Sequence, residues 1–295
     1  MTHRRAVALM VLATLLWSIA GVVTRHLDAA RSFEVTFWRS LFNALALVVA
    51  LSAMRGVALW RGILQAPRVV WVSGICWSVM YTAFMVALTL TTVANVLVTL
   101  AIGPLVTALF ARLFLHHRLP LRTWASIAIA ALGIAWMFGQ EASAGVSFVG
   151  TLVALAVPVA AAVNWTILQH VGHGAGDPDA AAPQDMLPAV LIGAGLSALA
   201  TLPLAIPFQA SAHDLRLLAL LGVVQLAIPC LLVVRLSRVL PAPEISLLGL
   251  LEVLFGVAWV WLWAGEQPAR SALTGGALVL GALIANEAFA LRRAR

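Results

Sequence analysis

Residues 245–266 read ISLLGLLEVLFGVAWVWLWAGE. The run is long enough to cross a bilayer, since a spanning helix needs about 20 predominantly apolar residues. Near its middle stands one carboxylate, Glu252. An acid at that depth is costly, so it belongs against a bundle interior or a wet cavity. A related segment lies upstream, where residues 96–119 read VLVTLAIGPLVTALFARLFLHHRL. Pro104 aligns there with Val253, and His117 with Glu266, roughly 149 residues on. Two related apolar segments in one chain of 295 residues point to a duplicated membrane protein.

Composition agrees. The chain is 63% hydrophobic and 10% charged, with a mean hydropathy of +1.03, whereas a soluble domain is nearer a quarter charged. All 18 basic residues are arginine. They are dispersed between apolar runs, so they act as topology signals and headgroup contacts and do not form a nucleic-acid surface. Cys76 and Cys230 fall inside apolar runs without zinc-type spacing and are expected to be small buried hydrophobes. The N-terminal run, Ala6 to Thr24, exceeds the 7–15 apolar residues of a cleaved signal and reads as a first span.

Ten spans are expected, over residues 5–24, 33–54, 69–89, 92–115, 122–139, 147–169, 186–207, 214–236, 242–264 and 271–290. The longest polar connection, residues 170–184, is rich in Gly, Pro, Ala and Asp and reads as a flexible loop. Its His170, His173, Asp177 and Asp179 imitate metal ligands, but no metal site is expected there. With the N-terminus inside, thirteen arginines fall at the inner face: 4, 5, 55, 61, 68, 112, 118, 122, 235, 238, 292, 293 and 295. Arg25, Arg31, Arg216 and Arg270 fall at the outer face, and Arg39 lies within the second span. This asymmetry places both termini in the cytoplasm. Five spans per half is an odd number, so the halves cross the membrane in opposite senses. The expected architecture is an all-α membrane protein of ten transmembrane helices in two inverted five-helix repeats, residues 1–140 and 147–290. Trp17 matches Trp165 and Gly74 matches Gly222 in nearly the same register. Such repeats typify secondary transporters with a site near the midplane.

The chain resembles the drug/metabolite transporter superfamily, in its ten-helix branch of EamA-type exporters, over about residues 5–290. The residues that carry the resemblance are Trp17 and Trp165, the FWRS around Arg39, Gly103-Pro104, and LLEVLFGVAWVWLWAGE at 250–266. Val253 replaces the family's usual Pro and His117 its usual Glu. Within the family the nearest comparison is the YddG-like amino-acid exporters. The resemblance implies export of small metabolites, often amino acids, across the inner membrane of a bacterium.

Positions i, i+3, i+4 and i+7 share a helix face. That spacing gathers Thr14, Trp17, Ser18 and Gly21 in the first span, and Gly74, Trp77, Ser78 and Tyr81 in the third. It also aligns Asn95 with Thr99, Pro158 with Trp165, Gly222 with Gln225 and Pro229, and Gly249 with Glu252, Phe255, Gly256 and Trp259. Facing one another, these stripes would line an aromatic cavity with a few hydrogen-bonding groups, which suits a small amphipathic solute. The candidate substrate-binding residues are Trp17, Trp77, Ser78, Tyr81, Asn95, Thr99, Trp165, Gln225 and Glu252. For Glu252 the readings are a proton carrier, a partner for a substrate ammonium, or an acid that holds helices together. Gly21, Gly74, Gly249 and Gly256 read chiefly as close helix contacts. Arg39 reads as snorkelling toward the outer interface or pairing with Glu34. Pro104, Pro158, Pro188 and Pro229 are candidate kinks.

The expected function is a secondary transporter exporting amino acids and related metabolites by alternating access. Other readings are a multidrug or other metabolite carrier, and a membrane-embedded enzyme. No catalytic residue, cofactor or metal is expected, and no P-loop or other catalytic motif is present. The expected partners are a small-molecule substrate and the lipid bilayer, with no nucleic acid, for a chain acting as a monomer.

Overall fold

The computed structural model describes residues 1–30, 32–91, 93–116, 119–143, 147–173, 184–264 and 270–293. Arg31, His117, Arg118, Asp177, Asp179, Glu266 and Arg295 lie outside the described residues.

Long apolar segments in a bilayer must satisfy every backbone group internally, so they become helices. Among the described residues there is no strand. Among the described residues nine helical stretches are long and apolar enough to cross a membrane, and a shorter apolar stretch, Leu273–Asn286, lies in the last helix. The first span is α1 (His3–Ser18) with α2 (Ala20–Thr24). Then follow α3 (Ser32–Arg55), the short α4 (Ala58–Leu64) and α5 (Arg68–Leu90). The fourth span is α6 (Val93–Leu100) with α7 (Gly103–Phe114). Next come α8 (Leu121–Ser143), α9 (Phe148–His173) and α10 (Leu187–Ala205). The eighth joins α11 (Ala212–Leu220), a π-helical segment Leu221–Ala227 and α12 (Ile228–Leu236). The ninth is α13 (Ala242–Gly249) with α14 (Leu251–Ala264), and α15 (Arg270–Arg293) closes the order.

The breaks have local causes. Between α6 and α7 the N–H of Ala101 is shared between the Leu97 and Val98 carbonyls, that of Ile102 reaches back three residues to Thr99, and Pro104 opens α7. Between α13 and α14 the N–H of Leu250 does the same, to Leu247. Such tightened turns interrupt the four-residue ladder. In the eighth span Pro229 has no N–H to donate, and the N–H of Ile228 reaches back five residues to Val223. Pro188 sits in the first turn of α10 and so does not kink it, whereas Pro158 lies inside α9.

Small residues set the crossings. A Cβ on Gly74 would meet Ile192 Cβ at 2.9 Å and the Ala189 carbonyl at 3.3 Å, so α5 packs hard on α10. A Cβ on Gly222 would meet Phe42 Cβ at 2.6 Å and the Arg39 carbonyl at 2.8 Å, so the π-helical segment packs hard on α3. α8 and α15 run antiparallel, with Thr123 donating to Asn286 (3.1 Å) and the Trp136 indole to Thr274 (3.0 Å). They touch through Gly133 and Gly275. A side chain at Gly275 would collide with the Gly133 carbonyl and Met137. A Gly275→Ala variant is expected to lose about 1–3 kcal/mol, read as a lower thermal midpoint in detergent; an unchanged midpoint would contradict this crossing.

The antiparallel α3 and α10 are tied at three levels. At one end Glu34, 2% exposed, accepts the N–H groups of Gln209 and Ala210 just beyond α10. Midway Ser40 and Ser197 share a 2.9 Å hydrogen bond. At the other end Arg55 pairs with Asp185. Glu34 is thus spent on the backbone and the Trp38 indole, and the expected pairing with Arg39 does not form.

Candidate substrate-binding centre

Arg39 turns inward. It is 3% exposed, and its guanidinium donates to the Tyr81 carbonyl on α5 (3.1 Å). Its side chain therefore does not snorkel. The reason lies in the crossings already described: α3 packs on the π-helical segment and on α10, which leaves Arg39 facing the bundle. Tyr81 in turn donates its hydroxyl to Cys230 on α12 (3.2 Å). Trp77, one turn before Tyr81, stacks on it at 5.7 Å and meets Trp165 of α9 edge-on at 5.3 Å. Gln225, on the π-helical segment, donates to the Trp17 carbonyl (3.2 Å). Trp17 also reaches the Cys230 thiol. Glu252, in the first turn of α14, lies within electrostatic reach of Arg39.

A buried polar atom without a partner is uncommon, because desolvating it costs roughly 1–3 kcal/mol. Here several such atoms lie in the central cluster, while others lie outside it. Arg39 Nε, both amide atoms of Asn43, Trp77 Nε1 and Gln225 Oε1 are buried without a well-formed hydrogen bond. Asn43 lies one turn beyond Arg39 and beside the Tyr81 hydroxyl. The stripe that carries Glu252 is open. Cβ atoms built on Gly249 and Gly256 would meet nothing within 4 Å, and the same holds for Gly21 across from them. These three glycines therefore leave room and do not make helix contacts, whereas Gly74 does make one. The Trp259 indole bridges the gap above them by donating to Ser18 (2.8 Å).

Of the expected residues, the structure brings together Trp17, Trp77, Tyr81, Trp165, Gln225 and Glu252. Ser78 lies at the crossing of α5 and α10, where its backbone N is 3.2 Å from a Cβ built on Gly193. Asn95 and Thr99 belong elsewhere. Asn95 donates to Thr91 (3.1 Å) and Thr151 (2.8 Å), and Thr99 donates to the Asn95 carbonyl. Their i, i+4 spacing served a helix junction and not the central cluster. Arg39 and Asn43 join the centre without having been singled out for it. Their spacing of one turn on the second span was the available signal. Cys76 and Cys230 are both free and buried.

The arrangement can hold a small solute by opposite charges within an aromatic enclosure. A many-span helical fold with such a polar centre is the arrangement expected of a membrane transporter. Residues 4–139 match the EamA-like transporter family. It is 24% identical over 286 residues to the pseudopaline exporter CntI of Pseudomonas aeruginosa, in strains UCBPP-PA14 and PAO1, covering 96% of this chain and 95% of the relative. A solved crystal structure shares the fold across 99% of both chains, with a TM-score of 0.78 at 21% identity.

Proposed function

We propose that this protein is a secondary transporter that exports amino acids and related zwitterionic metabolites by alternating access. The observation that carries the reading is the set of unpartnered buried polar atoms around Arg39, on the side that Glu252 faces. A guanidinium suits a carboxylate by a forked pair of hydrogen bonds, and Glu252 suits an ammonium. The Trp77, Tyr81 and Trp165 rings offer apolar and cation–π contacts to what lies between. The exporter relative supports outward movement of a small metabolite.

The architecture that serves this function is ten membrane helices in two inverted halves, residues 1–140 and 147–290. Its support is paired geometry. Gly74 meets Ala189 and Ile192, while Gly222 meets Arg39 and Phe42, partners roughly 150 residues apart. The turns that interrupt the fourth and ninth spans fall roughly 149 residues apart. Interrupted helices at matching positions are a mark of the binding site in such transporters. The arginine distribution supports cytoplasmic termini, and the Pseudomonas exporter relative supports a bacterial inner membrane.

The test is transport by purified protein in liposomes, across a panel of labelled amino acids, with and without a pH gradient. Movement of at least one amino acid is expected; no movement of any under either condition would overturn the reading. If Glu252 carries the coupling proton, Glu252→Gln leaves transport indifferent to the gradient. Retained pH dependence in that variant would remove the residue from that role. A multidrug carrier would use the same aromatic walls and Glu252 but not Arg39. Transport of a lipophilic cation that survives Arg39→Gln would favour it.

A further inference from the structure

At the end of the molecule where Arg55 meets Asp185, a cavity of about 520 Å³ is lined by Arg55, Asp185, Leu187, Val234, Arg235 and Arg238. Three arginines face one carboxylate. That carboxylate is already engaged, because one oxygen pairs with Arg55 and the other caps α10 through the Leu187 N–H (3.2 Å). Arg235 makes only a weak contact with the Met54 sulfur, at 3.9 Å. Arg238 packs its chain on Gly172 and leaves its head exposed. Arg235 and Arg238 both act electrostatically on Arg55. Among the described residues Asp185 is the only acid that lines this cavity.

The neighbourhood indicates what supplies the missing anion. α4 follows α3 after two intervening residues and runs alongside the same end of α10. It buries Leu59 yet exposes Trp60, with Val57 and Leu64 exposed at its ends. A short helix with exposed aromatic and aliphatic side chains lies at a membrane interface. Leu45 and Val49, also exposed, continue from this level along α3 as an apolar strip. A basic pocket at headgroup level, with an apolar strip leading from it, matches a phospholipid: phosphate among the arginines, acyl chain along the helix.

We infer that the pocket formed by Arg55, Arg235 and Arg238 binds the phosphate headgroup of an anionic phospholipid. The site is separate from the central cluster and stands whether or not amino acids are the cargo.

The test is a titration of the purified, detergent-solubilised protein with phosphatidylglycerol and with phosphatidylcholine, read by native mass spectrometry. The wild type is expected to retain one phosphatidylglycerol with about tenfold preference, weakening as salt rises. Arg235→Gln with Arg238→Gln should abolish the preference, whereas Arg4→Gln with Arg5→Gln should keep it. Asp185→Asn, which removes the one opposing charge, should tighten binding several-fold, and this opposite-signed readout serves if the double variant fails to fold. Inorganic phosphate at millimolar concentration should not displace the lipid. Equal retention of the two lipids by the wild type, an unchanged preference in the double variant, weaker binding in Asp185→Asn, or displacement by inorganic phosphate would each overturn the inference.

Discussion

An Asp214→Ala variant is expected to be the most destabilised single substitution at the α2–α3 end of the molecule, by about 3 kcal/mol. Asp214 is fully buried. Its carboxylate accepts the N–H of Asp28 at 2.7 Å, those of Ala29 and Ala30 at 3.1 Å, and that of Ser211 at 3.2 Å. Its own N–H donates to the Ser211 hydroxyl, so the same side chain caps α11 and gathers the connection between α2 and α3. Hydrogen bonds to a charged acceptor are worth roughly 1.5–3 kcal/mol each. They do not add, because water reaches part of the loop once the acid is gone. Alanine removes the acceptor from four donors at once. Asparagine keeps one oxygen but turns an amide group toward other N–H groups, so it should fall between. Thermal unfolding in detergent reads the loss, and hydrogen exchange at residues 28–30 and 211 should show it locally. Unchanged protection there would contradict the assignment.

An Arg39→Met variant is expected to lose transport by two or more orders of magnitude and to lose stability as well. Truncating one member of a buried charge pair costs roughly 2–5 kcal/mol, much of it from the charge left behind. The opposite charge within electrostatic reach of Arg39, though not in direct contact as an ion pair, is Glu252. The double variant Arg39→Met with Glu252→Gln removes that orphan and should recover most of the stability, as replacing both partners of a buried pair often does. It should not recover transport. That split separates recognition of a substrate from a structural ion pair. If the double variant both folds and transports like the wild type, Arg39 holds helices together and does not bind cargo.

Much of the helix pattern was legible because a bilayer demands long apolar runs. The expected first span ends at Thr24 and the third at 89; the helices end at Thr24 and Leu90. The interruptions were harder. Pro104 marks the start of α7, but nothing comparable marks α14, where Val253 replaces the proline. The π-helical segment was invisible because it depends on the contact of Gly222 with α3 as much as on Pro229. At the centre, aromatic and acidic residues announced themselves by depth and face. Arg39 did not, because a sequence with Glu34 five residues away offers a local partner. The structure gives that partner to the backbone of Gln209 and Ala210. Asn95 and Thr99 carried the same helical spacing as the residues of the central cluster, and spacing alone cannot say which neighbour a face meets.

The triple fastening of α3 to α10 has a mechanical meaning. Two antiparallel rods joined at both ends and in the middle can neither slide nor splay without breaking a carboxylate contact or an ion pair. They form a fulcrum. If the molecule opens alternately at its two faces, the lever arms are the interrupted spans, α6–α7 and α13–α14. A cysteine cross-link between α3 and α10 should therefore leave the cycle running, whereas one between α1 and α14 should stop it.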